Sequence, residues 1–142
     1  MFHGTKYVDP VTLAVGNGVD PACSKGGYFG RAAYFARNPL YCLTSYAYAR
    51  GGVQRILVCN VLVGNACNVG INMLPHEASE PPAQWPRVPA AGGAGTASAF
   101  DSVVGGPHDP PTPFGSPAMS YSMTHAVYQC DHSLITHILE FS

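Results

Sequence analysis

Charged side chains are scarce in this sequence: Asp, Glu, Lys and Arg make up 11% of its 142 residues, whereas a globular protein usually has about 25%. Apolar residues reach 46%, an ordinary proportion, so the composition excludes a disordered chain and a coiled coil. The net charge of −1 leaves no overall basic field for binding nucleic acid through its phosphates. We therefore expect one globular domain spanning residues 1–142.

Long apolar runs are missing as well. The longest lies near residues 56–63 and is too short for a transmembrane helix, and the chain does not open like a signal peptide. The five cysteines form no C-x-x-C pair, and the six histidines show no metal-ligand spacing. These absences predict reduced thiols, no metal ion, no membrane partner and a cytoplasmic or nuclear location.

Motifs of several enzyme classes are also absent. The sequence contains no phosphate-binding G-x-x-x-x-G-K-[ST] and no G-x-S-x-G nucleophile turn, and its few acids are too scattered for a glycosidase pair. The charges that are present are unevenly distributed. Residues 1–60 hold six basic and two acidic side chains, and residues 61–142 hold one basic and six acidic. The first segment is therefore the one expected to face an anion.

Proline and glycine positions predict the secondary structure. Asp9-Pro10 and Asn38-Pro39 each combine an N-cap residue with proline at the first helical position, which predicts helices over about 10–15 and 39–49. Ten of the thirteen prolines lie in 75–98 and 105–120, which we expect to be long irregular loops. Strands are expected at 32–36, 54–63, 100–104, 125–129 and 134–141, with 54–63 as the central one.

Blocks of aromatic and small residues occur in a distinctive order. They are H-G-T at 3–5, G-V-D-P at 18–21, G-G-Y-F-G-R-A-A-Y-F-A at 26–36, F-D-S-V at 100–103, V-Y-Q-C at 127–130 and L-I-T-H-I-L at 134–139. In this order the chain resembles the catalytic domain of poly(ADP-ribose) polymerase-type ADP-ribosyltransferases over nearly its whole length. The resemblance implies an α+β fold with two small, mostly antiparallel sheets packed around an NAD cleft, with short helices. The part that the family carries before H-G-T is missing, so we expect a minimal domain.

The resemblance also implies a site for NAD+, bound as a substrate and without a metal. His3 would bond a ribose hydroxyl, and Gly4, followed by Thr5, would let the backbone approach the nicotinamide carboxamide. The rings of Tyr34 and Tyr46 would stack on the nicotinamide, although Tyr46 falls one residue after the family's stacking tyrosine. The remaining positions expected to bind the donor are Tyr28, Phe35, Ala36 and Cys42, of which Cys42 replaces a serine that is a stronger hydrogen-bond donor.

The catalytic set that the resemblance implies is His3, Tyr34 and Thr124. Thr124 lies four residues before Tyr128, where polymerising members of the family carry glutamate. Strand alternation puts Thr124 and His125 on opposite faces, so a shift of one residue would exchange them. Without a carboxylate to polarise a ribose hydroxyl, chain elongation is disfavoured, which leaves transfer of one unit or no transfer.

The function implied is therefore mono-ADP-ribosyl transfer from NAD+ to a macromolecular acceptor, a protein that could be this chain itself. Two alternatives stay open. One is a catalytically degenerate module that only binds NAD+ or ADP-ribose, suggested by Cys42 and Thr124. The other is transfer to nucleic-acid ends, which is less favoured because Arg87 is the one basic residue after position 60. The acceptor loop, expected at about 105–121, carries no pattern that identifies the acceptor.

Overall fold

The structure, a computed structural model, describes residues 1–27, 29–70, 100–107 and 122–142 of the chain. Within these residues the fold is mixed α+β, with eight strands and two short α-helices. In chain order they are β1 (Phe2–His3), α1 (Pro10–Val15), β2 (Ala33–Ala36), α2 (Pro39–Ser45), β3 (Tyr48–Arg50), β4 (Val53–Val61), β5 (Ala66–Gly70), β6 (Ser102–Gly105), β7 (Thr124–Val127) and β8 (Ser133–Phe141).

The eight strands form one hydrogen-bonded sheet, which corrects the expectation of two separate sheets. Its order is β3-β4-β1-β2-β7-β6-β5, with β8 paired to β4, and every pairing is antiparallel except that of β5 with β6. The two expected halves are joined because Phe2 of β1 pairs with Ala36 of β2 and with Val58 of β4. A strand of two residues is too short for its sequence pattern to predict.

The predicted central position of β4 is confirmed. It pairs with β8 from Gln54 to Val61, and with β3 and β1 at successive stretches. Both faces of β4 are covered, since Ile56 packs in a cluster with α2 residues, while Leu57 packs in a second cluster with Phe35. Burial on both faces explains why the apolar residues of this strand run nearly without interruption.

Both predicted helix starts are confirmed by their caps. The Asp9 side chain accepts a hydrogen bond from the Val11 backbone N–H at 3.1 Å, and the Asn38 side chain accepts one from Leu40 at 3.0 Å. In each helix proline occupies the first position, where no backbone donor is needed. Of the helices in the described part of the chain, none is long and apolar enough to cross a membrane.

The predicted end of the second helix at residue 49 is wrong, because α2 ends at Ser45. Tyr46 leaves the helical conformation with φ −131° and ψ 0°, and the chain then forms a hairpin of β3 and β4. Gly51 and Gly52 turn this hairpin with φ of +60° and +80°. Two successive positive φ values are what a two-residue hairpin turn requires, so these glycines mark a turn and not a helix end.

The remaining expectations are met in part. Strands occur near the predicted positions 32–36, 100–104, 125–129 and 134–141, with ends displaced by one or two residues. The short strands β1, β3 and β5 were not predicted. The loop expected at 75–98 and residues 108–120 of the second loop lie outside the described residues.

Phe35 offers a test of the core. Phe35 is 0% exposed and packs with Leu57 and Val127 in a buried cluster. We expect Phe35→Ala to lower the free energy of unfolding by about 3–5 kcal/mol, because the change leaves a cavity in a close-packed interior. Leu62→Ala, at a side chain 67% exposed, is the matched control and is expected to change it by less than about 0.5 kcal/mol. Similar losses for the two variants in chemical denaturation would contradict this packing.

Candidate functional site

A cavity of about 610 Å³ lies beside β1, between the loop that follows α1 and the helix α2. This volume is in the range of small-molecule sites. Most of the predicted site residues line it, although they come from distant parts of the sequence: His3, Gly4, Thr5, Tyr34, Cys42, Tyr46 and Thr124. Phe35 and Ala36 do not line it and are buried in the core at 0% and 1% exposure. Tyr28 lies outside the described residues.

His3 is held at the cavity by pairing of the sheet. Its Nδ1 lies 2.7 Å from the carbonyl oxygen of Tyr34, and because a carbonyl only accepts, Nδ1 carries the proton and donates it. Burial lowers the pKa of His3 below its usual 6.5, more than the bond to Tyr34 raises it. The ring is therefore neutral at pH 7, and its Nε2 can accept a hydrogen bond from a ligand hydroxyl.

Gly4 brings β1 into direct contact with the end of α2. A Cβ on Gly4 would lie 2.5 Å from the carbonyl oxygen and from the Cβ of Tyr46. The chain is tied at the same place by the Lys6 N–H, which donates to the Tyr46 carbonyl at 2.8 Å. Glycine was predicted here to admit a ligand, and the structure adds a second requirement, the close approach of Tyr46.

This contact can be tested with Gly4→Ala. A methyl group at Gly4 cannot fit without moving the backbone of Tyr46, so we expect the free energy of unfolding to fall by about 1–3 kcal/mol. Chemical denaturation would measure the loss. An unchanged unfolding midpoint would contradict the close packing of β1 on the end of α2.

Two pairs of aromatic rings bound the cavity. Tyr34 stacks on Phe29 with centroids 6.1 Å apart and an interplanar angle of 19°, and Tyr46 stacks on Tyr41 at 5.2 Å and 21°. All four residues line the cavity. Since one face of Tyr34 and one face of Tyr46 already meet another ring, a flat ligand would stack on the opposite face of either ring.

The groups at the α2 side of the cavity are polar but uncharged. Burial raises the pKa of the Cys42 thiol to about 12, so it stays protonated at neutral pH. Burial also raises the pKa of Tyr41 well above its usual value; the nearby Tyr46 hydroxyl adds to this shift, and Thr124 opposes it. Sequence reasoning gave Tyr41 no role, because its place beside Thr124 depends on how α2 packs on β7.

Asp20 is the one carboxylate among the described residues that line the cavity. Its side chain accepts from the Ala22 N–H at 2.8 Å and lies 3.8 Å from the Cys23 sulfur, within the loop after α1. Arg31 is exposed and donates to the Ala22 carbonyl of the same loop. In the described residues the cavity is therefore lined mainly by neutral groups.

The alternation of β7 places Thr124, and not His125, on the cavity wall. Thr124 pairs with Ala36 and lines the cavity, whereas His125 pairs with Phe35 and is absent from the wall. The Nε2 of His125 accepts from the Arg37 Nε at 3.0 Å, and Nδ1 is buried without a partner in the described part of the chain. Burial, helped by the Arg37 charge, lowers the pKa of His125 to about 4.

The low pKa of His125 predicts a pH dependence of stability. The unfolded chain binds a proton at this residue near pH 6.5 and the folded chain near pH 4, so folding is penalised progressively as the pH falls through that window. We expect a loss of about 2–3 kcal/mol between pH 7 and pH 4 that His125→Gln removes. Urea denaturation at a series of pH values measures it. His137→Gln, exposed on β8, is the control and should keep the wild-type slope. Equal slopes for wild type and His125→Gln would contradict the assignment.

Comparison with models of known protein families and with curated proteins gave no match. Among the described residues, no group of three or more His, Cys, Asp or Glu side chains is placed to hold a metal ion. The cavity and the residues that line it are therefore the features that bear on function.

Proposed function

We propose that the chain is a mono-ADP-ribosyltransferase that moves one ADP-ribose from NAD+ to a protein acceptor and releases nicotinamide. One observation carries the proposal: His3, Tyr34 and Thr124, three residues spread over 121 positions, line one cavity together with Gly4, Cys42 and Tyr46. These are residues that the family resemblance implies for the site. The proposal also requires the ADP-ribosyltransferase fold. The α+β sheet of this chain would be a minimal example of that fold.

The reaction needs positioning more than acid–base chemistry. The bond between nicotinamide nitrogen and ribose C1 breaks, and nicotinamide leaves as a neutral molecule. The acceptor atom forms the new bond to C1, and its proton is released to the solvent. Since the leaving group is cationic beforehand, no acid is required on that side. Holding NAD+ in a reactive pose and excluding water would supply much of the rate.

The described groups suit this task. The free Nε2 of His3 would accept from a ribose hydroxyl, because Nδ1 is engaged by Tyr34 at 2.7 Å. The nicotinamide ring would stack on the face of Tyr34 or Tyr46 that does not already meet another ring. Cys42, protonated and 2% exposed, would offer only a weak hydrogen bond to the carboxamide.

The neutral surroundings of Thr124 favour a single transfer. Thr124 and Tyr41 present hydroxyls, and burial keeps that of Tyr41 protonated. Neither residue can act as the carboxylate that would activate a ribose hydroxyl for a second transfer. The product expected is therefore one ADP-ribose per acceptor site.

A catalytically degenerate binding module is the second candidate. The same two substitutions, Cys42 for serine and Thr124 for glutamate, favour it, because each weakens a contact to the donor or to the nucleophile. In that case NAD+ or ADP-ribose would occupy the cavity without turnover. Transfer to nucleic-acid ends is the weakest alternative, because basic residues are nearly absent after position 60.

The decisive experiment incubates the purified chain with adenine-labelled NAD+, alone and with a mixture of protein acceptors. We expect nicotinamide release and, by mass spectrometry, single ADP-ribose additions to this chain or to an acceptor. His3→Ala should reduce the rate about 100-fold, because the ribose loses its hydrogen-bond partner. Leu62→Ala, exposed and away from the cavity, should keep the wild-type rate.

The contrary outcomes separate the candidates. NAD+ binding by calorimetry without nicotinamide release would support the binding module, and a ladder of additions would contradict single transfer. Label found on an oligonucleotide but not on protein would move the proposal to nucleic-acid ends. Absence of NAD+ binding would overturn both leading candidates.

A further inference from the structure

A short turn at the edge of the cavity, described at Gly27, Phe29 and Gly30, is held by backbone and side-chain hydrogen bonds. Gly27 and Gly30 exchange two backbone hydrogen bonds, from the Gly27 N–H to the Gly30 carbonyl at 3.0 Å and from the Gly30 N–H to the Gly27 carbonyl at 2.9 Å. Gly27 and Phe29 line the cavity. The positions of Gly27 and Phe29 in this turn therefore contribute to the shape of one side of the cavity.

The hydroxyl of Tyr34, from β2, bonds the turn twice. It accepts from the Phe29 N–H at 2.9 Å and donates to the Gly30 carbonyl at 2.5 Å. Burial raises the pKa of Tyr34 well above its usual value, so the hydroxyl keeps its proton. Because a phenol has one proton to donate and Gly30 receives it, this hydroxyl has none left for a ligand.

A second tyrosine, Tyr128, directly follows the neighbouring strand β7 and completes the arrangement. The Tyr128 hydroxyl donates to the Phe29 carbonyl at 2.7 Å in a buried bond, and Tyr128 is 2% exposed. The Phe29 ring is 1% exposed and packs against Tyr128, Val103 and Ala126. Two tyrosine hydroxyls thus hold the N–H and the carbonyl of the same residue, and Tyr128 does so from outside the cavity.

Gly27 lies against the ring of Tyr34. A Cβ on Gly27 would be 2.8 Å from the ring Cζ and 2.9 Å from the hydroxyl oxygen. Gly27 has no positive φ, so a substitution there is opposed by this contact and not by the backbone conformation. The turn therefore packs against the ring of Tyr34 at Gly27, and its backbone also hydrogen-bonds the Tyr34 hydroxyl.

We propose that Tyr34 and Tyr128 form a clamp that sets Gly27, Phe29 and Gly30 in their ligand-binding position before the ligand arrives. Tyr34 then acts on a ligand through its ring and through the turn, and its hydroxyl is a positioning group that does not touch the ligand. The clamp removes the cost of ordering this loop on binding. The inference rests on the proposed function in taking NAD+ as the ligand.

The test compares Tyr34→Phe, Tyr128→Phe and the matched control Tyr48→Phe, whose residue lies on β3 away from the cavity. Amide hydrogen exchange of Phe29 is measured by NMR relative to Leu57 of the central strand, which reports global unfolding. Calorimetry gives the Kd for NAD+. We expect each clamp variant to speed Phe29 exchange, relative to Leu57, about tenfold and to raise the Kd about tenfold. Saturating NAD+ should restore slow exchange.

A change in Kd for Tyr128→Phe is the most telling result, because Tyr128 is absent from the cavity wall and its hydroxyl bonds the turn at the Phe29 carbonyl. Gly27→Ala is a second way to displace the turn. It leaves both hydroxyls in place but pushes the turn away from Tyr34, and it should raise the exchange rate and the Kd together. It keeps the proposal testable should Tyr128→Phe fail to fold.

Three results would overturn the clamp. A raised Kd for Tyr34→Phe with unchanged Phe29 exchange would mean that the hydroxyl touches the ligand directly. Faster exchange with an unchanged Kd would mean that the turn does not shape the binding site. Unchanged exchange in both clamp variants would mean that the turn is held by other contacts. If the wild-type chain does not bind NAD+, the proposed function fails and the exchange rates alone decide whether the clamp exists.

Discussion

Both the sheet and the cavity depend on the two residues of β1, Phe2 and His3. Phe2 pairs with Ala36 on one side and with Val58 on the other, which makes one sheet out of two sets of strands. His3 follows in the same strand and donates to the carbonyl of Tyr34, and Gly4 then meets the end of α2. Two residues of β1 therefore determine how the groups from three elements face one another.

Burial determines the electrostatic character of the cavity. It lowers the pKa of His3 and raises those of Tyr34 and Cys42, so each of these groups is in its neutral form near pH 7. Hydrogen bonds to backbone groups replace ionic contacts, as at Tyr34, whose hydroxyl bonds Phe29 and Gly30. A site of this kind is consistent with a chain in which only 11% of the residues are charged. Recognition would then come from ring stacking and hydroxyl contacts, which suits a ligand such as the nicotinamide end of NAD+.

Local signals predicted the elements that depend on local chemistry. The caps Asp9 and Asn38 marked both helix starts, and the apolar run of β4 marked the central strand. The same reasoning failed at Tyr46, where the helix was expected to continue to residue 49, because the turn at Gly51–Gly52 draws the chain into a hairpin. It also missed β1, β3 and β5, since strands of two to five residues are specified by their partners more than by their own sequence.

The sequence by itself determined which residue types are available to the cavity and in what order they occur: His3 and Gly4, Tyr34, Cys42 and Tyr46, then Thr124 without a carboxylate. It determined the alternation that separates Thr124 from His125, because side-chain direction in a strand has a period of two. Only the tertiary structure decided that Phe35 and Ala36 face the core, that Tyr41 lies beside Thr124, and that Tyr128 reaches the Phe29 carbonyl across 99 positions. These depend on strand register and on how helix and loop pack on the sheet, which are long-range contacts that no local pattern encodes.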